Sequence, residues 1–426
     1  MTDDYEYDQY DDYPEDDDSQ PRKKPVITAQ LITLVAVLLT VAVILVQFVV
    51  LPIVGQGQDI RMMSTGNSIS FGFDSHPSFH SNGSDFFHFV TRDSVRFINA
   101  AEQTSWSEMI SLNRPVAVSG GNYVAVGEIN GRLIYVFDHE RLVYRVFFDN
   151  PVLFFSVNET GFLSTIVQYD TGPGVHVYNE HRTTLNPPLF RMMPLVSDLM
   201  QPIAVEVSND GRYIAIAVLD YSAQVSTIVQ FRVMNLWDAW GLDGGLFAEE
   251  TFPGQILTGM SFVENDRLVV ATNRQIRGFR LAETQPRLQE SWRRELTNNI
   301  SHLGFAGGYT AFISSDPIIG ATDPDPAGVL RIVNAAGRET AQFNLGRRAT
   351  HLTMGQNAAI AGADRTFHAI SFSGSHLWDH ISMFDTRQVI FLENTDSILV
   401  TGANRADSFV RRRIRQQDEY DILWEG

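Results

Sequence analysis

The sequence predicts an all-β fold, a β-propeller of eight blades with seven as the alternative, preceded by one transmembrane helix and a disordered acidic tail. Three observations support this prediction. Beyond residue 85, short β-branched strands alternate with turn residues, and no helical period persists. Similar segments recur about every 45 residues, which is the length of a propeller blade. An uncharged stretch, from Pro25 to Gln58, precedes them.

The acidic tail covers residues 1–25. Its first 24 residues contain ten Asp or Glu and three Lys or Arg, within a net charge of −18 for all 426 residues. Like charges repel and nothing apolar recurs, so we expect a disordered, solvated tail. Its four tyrosines leave docking or phosphorylation open as an alternative. The rest of the chain is mildly acidic, which argues against a nucleic-acid partner.

The transmembrane helix is predicted at residues 26–54. Leu31 to Val54 is almost wholly aliphatic, and 24 helical residues span roughly 36 Å, enough to cross a bilayer. Arg22, Lys23 and Lys24 precede the stretch, and the next basic residue is Arg61. This asymmetry predicts a single-pass protein of the cell membrane, with its N-terminus in the cytoplasm and its C-terminal domain outside. A cleaved signal peptide is the alternative, but no A-x-A cleavage site follows.

The repeated units define the blades. Their starts, where a new apolar strand follows a closing strand, are Pro115, Pro151, Pro202, Leu257, Ile300, Thr350 and Gln388. Trp106, Trp292 and Trp378 each lie late in a strand that closes a unit. Asn209, Asp210 and Gly211 have the composition of a tight hairpin between the first two strands of one unit.

The two ends of the repeat region are less regular. Residues 55–85 are rich in Gly, Ser, Asn and His and are interpreted as a linker with a possible first strand in SISFGF. The propeller is predicted at 86–415, with an incomplete first blade at 86–114 and about three strands at 388–415, and a short tail follows at 416–426. Ring closure requires the two ends to meet, giving eight blades, or seven if both ends complete one blade.

The blade motifs carry a resemblance to a known family. They are NYVAVG from Asn122, NGRLIYVFD from Asn130 and SNDGRYIA from Ser208. Together with the acidic tail and basic-flanked helix, they resemble an uncharacterised family of single-pass, membrane-anchored propellers, WD40-like or quinoprotein-like, from Clostridia-type bacteria. The resemblance implies the fold. It implies no catalytic residues, because that family has no assigned activity.

Motifs for chemistry are scarce. The chain contains no cysteine, which excludes thiolate catalysis and disulfides. It also has no nucleophile elbow, zinc-protease motif, phosphate-binding loop or dinucleotide fingerprint. No catalytic residue, metal or cofactor is therefore predicted. Four sets of residues remain weak candidates for ligand binding. They are His76, His80 and His88 for zinc; His376, Trp378 and His380, alternating on one strand face; Asp323 and Asp325 for calcium; and the arginines of Arg411–Arg415 for an anion.

The favoured function is binding: a monomeric, extracytoplasmic propeller that recruits an unknown protein or cell-wall ligand. Two long apolar segments, residues 182–201 and 237–254, are interpreted as loops that join consecutive blades and share one face. The candidate partner face comprises Phe190, Met192, Met193, Trp237, Trp240 and Phe247. These side chains either form an exposed interface or pack onto the blades. The alternative function is an enzyme of the lyase, glycosidase or dehydrogenase type, with its site at the central channel.

Overall fold

The computed structural model describes residues between Ile60 and Arg413. The described residues are 60–72, 77–81, 86–99, 104–181, 188–192, 199–222, 224–234, 245–282, 287–315, 327–392 and 395–413. The predicted acidic tail, transmembrane helix and C-terminal tail lie outside these ranges. None of the described segments forms an apolar helix of membrane-spanning length.

The described chain is built from strands. In order they are β1 (Ile60–Ser70), β2 (Ser78–Ser81), β3 (Phe86–Val90), β4 (Ser94–Asn99), β5 (Thr104–Met109), β6 (Val116–Gly120), β7 (Tyr123–Gly127), β8 (Leu133–Phe137), β9 (Leu142–Phe147), β10 (Val152–Val157), β11 (Leu163–Tyr169), β12 (Gly172–Tyr178), β13 (Phe190–Met192), β14 (Met200–Val207), β15 (Tyr213–Asp220) and β16 (Ser226–Val233). They continue as β17 (Leu246–Phe252), β18 (Leu257–Glu264), β19 (Arg267–Thr272), β20 (Gln275–Leu281), β21 (Leu288–Glu295), β22 (Ile300–Ala306), β23 (Tyr309–Ser315), β24 (Gly328–Asn334), β25 (Glu339–Asn344), β26 (His351–Met354), β27 (Ala358–Ala363), β28 (Thr366–Ser371), β29 (His376–Ile381), β30 (Gln388–Phe391), β31 (Ser397–Thr401) and β32 (Arg405–Arg413).

These strands form eight antiparallel four-stranded sheets, the blades of a propeller. Blade 1 is β2–β5, and each following blade takes the next four strands through blade 7, β26–β29. Blade 8 combines β30, β31 and β32 with β1, which pairs with β32 as the outermost strand. The first strands of neighbouring blades contact one another in an unbroken cycle, including β2 with β30. The prediction of an eight-bladed ring is therefore confirmed, since the described strands form eight blades rather than seven.

The ends of the chain close the ring differently from the sequence interpretation. The segment interpreted as a linker contains two strands, β1 and β2, and β1 begins eight residues before SISFGF. Blade 1 is consequently complete, because β2 supplies its inner strand. The composition of the segment concealed both strands, since glycine and asparagine are depleted in strands generally.

Blades 1 and 8 are joined by paired hydrogen bonds and an aromatic core. The side-chain amide of Gln388 accepts a hydrogen bond from the backbone N–H of Phe79 at 3.3 Å and donates one to its carbonyl at 2.7 Å. Phe79, Phe87 and Phe89 pack with Ile390 and other apolar residues of blade 8. Ring closure thus buries apolar surface and satisfies backbone groups at the same junction.

Tryptophans join neighbouring blades at three other places. Trp106, Trp292 and Trp378 lie in the fourth strands of blades 1, 5 and 7. Each indole N–H donates to a backbone carbonyl in a turn of the next blade, at 3.0, 3.1 and 2.8 Å respectively. The predicted likeness of the three positions therefore reflects a shared contact, which ties the outer edges of adjacent blades together.

The turn between the first two strands of blade 4 shows how local sequence fixes these hairpins. Gly211 adopts a φ of +70°, which favours glycine. A Cβ there would also lie 2.5 Å from the ring of Phe162. The Ser208 hydroxyl donates to Asp210 at 2.6 Å and accepts from the N–H of Tyr213 at 2.9 Å. These contacts fix the turn that follows β14, and the end of β14 lies at the central channel.

Candidate functional site

The inner strands surround a central channel, which widens at one end into a cavity of about 600 Å³. We call this cavity the channel mouth. It lies where the first strand of each blade turns into the second. Its channel-facing residues are Ser81, Ser119, Ser156, Glu206, Ser261, Phe305 and Met354, and its turn residues include Asn122, Glu159, Asn209 and Gln356. A cavity of this size is large enough for a small molecule or for an inserted side chain of a larger ligand.

One side of the channel mouth is polar. Blades 1, 2, 3 and 5 each contribute a serine from the inner strand, and blade 4 contributes Glu206. Because inner strands converge on the axis, small side chains leave room for the cavity. The other side is apolar, formed by Phe305 of blade 6 and Met354 of blade 7. No lysine or arginine is among the described residues that line the cavity.

Among the described inner-strand residues that line the channel mouth, Glu206 is the one with an ionisable side chain. It lies partly buried near the end of β14. Removal of water by the surrounding protein raises the pKa of Glu206 to about 8, and a hydrogen bond from the Ser156 hydroxyl, at 3.2 Å, opposes that rise. A group that forms an ion pair with this carboxylate would stabilise its charged form.

Glu159 is the second carboxylate of the cavity and lies at its exposed rim. It belongs to the turn between β10 and β11. Its carboxylate accepts a hydrogen bond from the side-chain amide of Asn209 in the next blade, at 2.8 Å. The channel mouth therefore presents two carboxyl groups at different depths, Glu206 inside and Glu159 at the rim.

The histidines predicted as weak zinc candidates lie in blade 1. His80 and His88 face each other across β2 and β3, whereas His76 lies outside the described residues. Burial lowers the pKa of His80 to about 4, and nearby His88 contributes. The Nε2–H of His88 donates to the carbonyl of Asp138 at 2.9 Å. Among the described residues, no third ligand completes a metal site with this pair.

The candidate partner face is only partly described. Met193, Trp237 and Trp240 lie outside the described residues. Phe190 is buried, at 9% exposure, in the three-residue strand β13, and Met192, in the same strand, packs against the core of blades 3 and 4. Phe247 packs against Phe231 and Tyr213 in the next core. The described members of the set therefore pack onto the blades.

The topology also corrects the interpretation of the two apolar segments. Residues 182–201 include β13, the fourth strand of blade 3, and so do not form one loop between blades. Residues 235–244 join β16 to β17 within blade 4 and do not lead to the next blade. The error arose because both fourth strands follow long turn-rich segments, which conceal where the strands begin.

The shared strand face predicted for His376, Trp378 and His380 is confirmed for Trp378 and His380 and is wrong for His376. A β-bulge between β28 and β29 aligns Ala369 with Trp378 and Ile370 with His376, so Leu377 is an extra residue. Trp378 and His380 are buried at 1% and 7% exposure, whereas His376 contacts Asp379 on the other face. With His368, these two residues form the only group of three or more potential metal ligands among the described residues.

The remaining weak candidates form no described site. The loop with Asp323 and Asp325 lies outside the described residues. In the basic run, Arg411 forms an ion pair with Asp396 at 3.3 Å. Residues 411–413 of this run belong to β32, whose outer neighbour is β1, and Arg415 lies outside the described residues. The ion pair of Arg411 therefore lies within blade 8.

Comparison with solved structures supports the fold. The chain is similar to Sqt1 from Saccharomyces cerevisiae, with 9% identity and a TM-score of 0.51, over 82% of this chain and 100% of that one. It is also similar to BamB from Moraxella catarrhalis, with 13% identity and a TM-score of 0.46 over the same shares. AztD from Citrobacter koseri gives 9% identity and a TM-score of 0.45, over 72% of this chain and 86% of that one. At 9% identity the likeness to Sqt1 concerns the fold alone.

Comparison of sequences assigns the family. No curated protein matches the chain. The model of a family of unknown function, DUF5711, matches residues 78–409. The match begins at the first residue of β2 and ends within β32, so it covers all eight blades apart from the outermost strand β1. The chain therefore belongs to the DUF5711 family, whose function is unknown.

Proposed function

We propose that this chain is a membrane-anchored binding protein whose propeller lies outside the cytoplasmic membrane. Its channel mouth binds a cationic group of a protein or cell-envelope ligand. One observation carries this proposal: the cavity combines Glu206, four serines and an apolar wall, with no lysine or arginine among its described lining residues. A cation is the ligand that such a charge distribution favours.

The two-sided wall favours an arginine or lysine side chain in particular. These side chains have an apolar stem and a charged head. The stem would contact Phe305 and Met354, while the head would approach Glu206 and the serine hydroxyls. A guanidinium or ammonium there makes charge-assisted hydrogen bonds, which are stronger than neutral ones. The rigid ring holds these groups in place before binding, which lowers the entropy lost on association.

Membrane anchoring is supported by the sequence. The apolar stretch at 26–54 has the length of a membrane-spanning helix, and the basic cluster at Arg22–Lys24 precedes it. Protease added outside intact cells should digest the propeller and spare the acidic tail. Protection of the propeller in that experiment contradicts the extracytoplasmic location.

An enzyme at the central channel is the second candidate function, and Glu206 is the observation that favours it. A carboxyl group with a raised pKa in a cavity is a feature of general acids and bases. Glycoside hydrolysis needs a pair of carboxyl groups across the scissile bond, and the second carboxylate here, Glu159, lies at the exposed rim. Turnover of a ligand that is lost in Glu206→Gln would favour the enzyme.

Site-specific photocrosslinking tests where the ligand binds. A photoreactive amino acid replaces Gln356 at the channel mouth, or Thr350 at the opposite end of the inner strand of the same blade. The proposal predicts a specific adduct from position 356 that Glu206→Gln abolishes, and no such adduct from position 350. An adduct that forms equally at both positions, or that ignores Glu206, contradicts the proposal.

The undescribed residues Met193, Trp237 and Trp240 remain candidates for additional contacts. Residues 235–244, which include both tryptophans, connect the third strand of blade 4 to the fourth. The described residue that precedes this segment, Met234, donates its backbone N–H to the carbonyl of Arg212 at 2.8 Å, at the turn that contains Asn209. Trp240→Ala should weaken crosslinking from position 356 if this segment contributes to the binding surface, and leave it unchanged if the segment packs onto the blade.

A further inference from the structure

A second site lies away from the channel, on the outer part of blade 7. His368 is in the third strand, β28, and His376 and Asp379 are in the fourth, β29. We infer that these three side chains form a site for a divalent transition-metal ion such as Zn²⁺, with at least one coordination position left open to water or to another ligand.

The geometry is that of three ligands directed at one point. The Nδ1–H of His368 donates to Asp379 Oδ1 at 2.5 Å, and the Nε2–H of His376 donates to the same oxygen at 2.6 Å. The three candidate ligand atoms all lie within 4.8 Å of one another. A bound metal would replace these two shared protons, because the ligating nitrogens must be unprotonated.

The β-bulge creates this arrangement. His376 and Asp379 are three residues apart, so in a regular strand they would face opposite sides of the sheet. The extra residue Leu377 reverses this relation and brings both side chains to the outer face. His368 is the direct cross-strand neighbour of Asp379. The bulge therefore brings the three ligand side chains of β28 and β29 close together.

A neighbouring blade orients the two imidazoles. The ring of Phe343, in β25 of blade 6, lies 4.9 Å from that of His368 and 5.7 Å from that of His376, centre to centre. It is nearly parallel to the His376 ring, at 16°. The His368 side chain is 16% exposed, His376 38% and Asp379 54%. The ligands are therefore held by packing on one side and remain accessible on the other.

The donor set determines the class of metal. Two imidazole nitrogens and one carboxylate oxygen suit zinc and the neighbouring first-row divalent ions, whereas Ca²⁺ and Mg²⁺ prefer oxygen alone. Zinc sites with three protein ligands keep a fourth position for water or substrate. The hydrogen-bonded triad without metal would instead only stabilise the edge of the blade. That alternative predicts no specific zinc binding.

Calorimetric titration with Zn²⁺ tests the inference on the full-length chain in detergent, without a histidine tag. We expect one specific site per chain. His376→Gln and Asp379→Asn should each lower the affinity for Zn²⁺ by at least about tenfold. Loss of a residue that only hydrogen-bonds to a metal ligand already costs that much, and these residues are ligands themselves. His181→Ala, which removes an exposed histidine in blade 3, is the matched control and should leave the affinity unchanged.

Zinc-edge X-ray absorption on the wild-type chain provides a test that needs no variant. The inference predicts two imidazole nitrogens and carboxylate or water oxygens at ~2.0–2.2 Å. It is overturned if the chain binds no Zn²⁺ above the level of nonspecific sites. It is also overturned if His376→Gln and Asp379→Asn retain wild-type affinity, or if His80→Ala abolishes binding in their place.

Discussion

Phe79→Ala should destabilise the whole propeller, because Phe79 lies where the first and last blades meet. Its side chain is 1% exposed. Its ring stacks on Phe89 at 4.8 Å and also contacts Phe71 and Phe87 at 5.8 and 5.9 Å. Removal of a buried phenylalanine ring costs about 3–5 kcal/mol, from lost transfer free energy and the cavity left behind. Because the contacts include Ile390 of blade 8, the loss weakens ring closure.

Urea unfolding of the full-length chain, followed by circular dichroism, measures this loss. Met109→Ala is the matched control, since Met109 lies in the same blade and is 86% exposed. The Phe79→Ala midpoint should fall well below that of the wild type, whereas the control should stay close to it. If the two variants have the same midpoint, the packing of β2 against blade 8 does not hold the ring closed.

Two further predictions concern tryptophan and histidine contacts. Trp292→Phe keeps an aromatic ring but removes the hydrogen bond to the carbonyl of Ala335, at 3.1 Å, and should cost about 1–2 kcal/mol in urea unfolding; an unchanged midpoint would show that this bond adds nothing. Burial lowers the pKa of His176 to about 4, so the unfolded chain binds a proton first and stability should fall as pH drops from about 6.5 to about 4. His176→Gln should reduce this pH dependence of the melting temperature, and an identical pH dependence would contradict the effect.

The positions of most blades could be predicted from the sequence, because turn residues separate the strands regularly. The predicted unit starts at Leu257, Ile300 and Gln388 coincide with the first residues of inner strands. The prediction was less complete at the ends of the repeat region. β1 and β2 lie in a segment whose composition resembles a linker. β2 pairs with the neighbouring strand β3, whereas β1 is stabilised by pairing with the distant strand β32. Such long-range pairing leaves no local signal in the sequence.

The candidate sites were harder to predict, because each depends on a tertiary feature. Glu206 stands within the short sequence Val205–Val207, where alternation suggests only that one polar residue interrupts an apolar strand. Glu206 lies at the channel mouth only because the blades close into a ring whose inner strands line the channel. The grouping of His376 with Asp379 depends on the bulge at Leu377, which reverses the alternation that a regular strand would have. The residues of both candidate sites therefore come together only in the folded chain, and no local pattern in the sequence predicts their grouping.

Peptide binding to the purified full-length chain tests the proposed function most directly. The probes are an array of peptides that contain arginine. Each is paired with a citrulline peptide, which has nearly the same shape but no charge. The carboxyl group of Glu206, whose pKa burial raises to about 8, should release its proton when a guanidinium binds. Affinity should therefore rise with pH, by as much as about tenfold per unit below about pH 8.

The expected result is binding of arginine peptides, loss of binding to their citrulline partners, and loss of the pH dependence in Glu206→Gln. Glu159→Gln should weaken binding less, because that carboxylate lies at the exposed rim, where water screens its charge. Equal binding of arginine and citrulline peptides, unaffected by Glu206→Gln, would contradict cation recognition at the channel mouth.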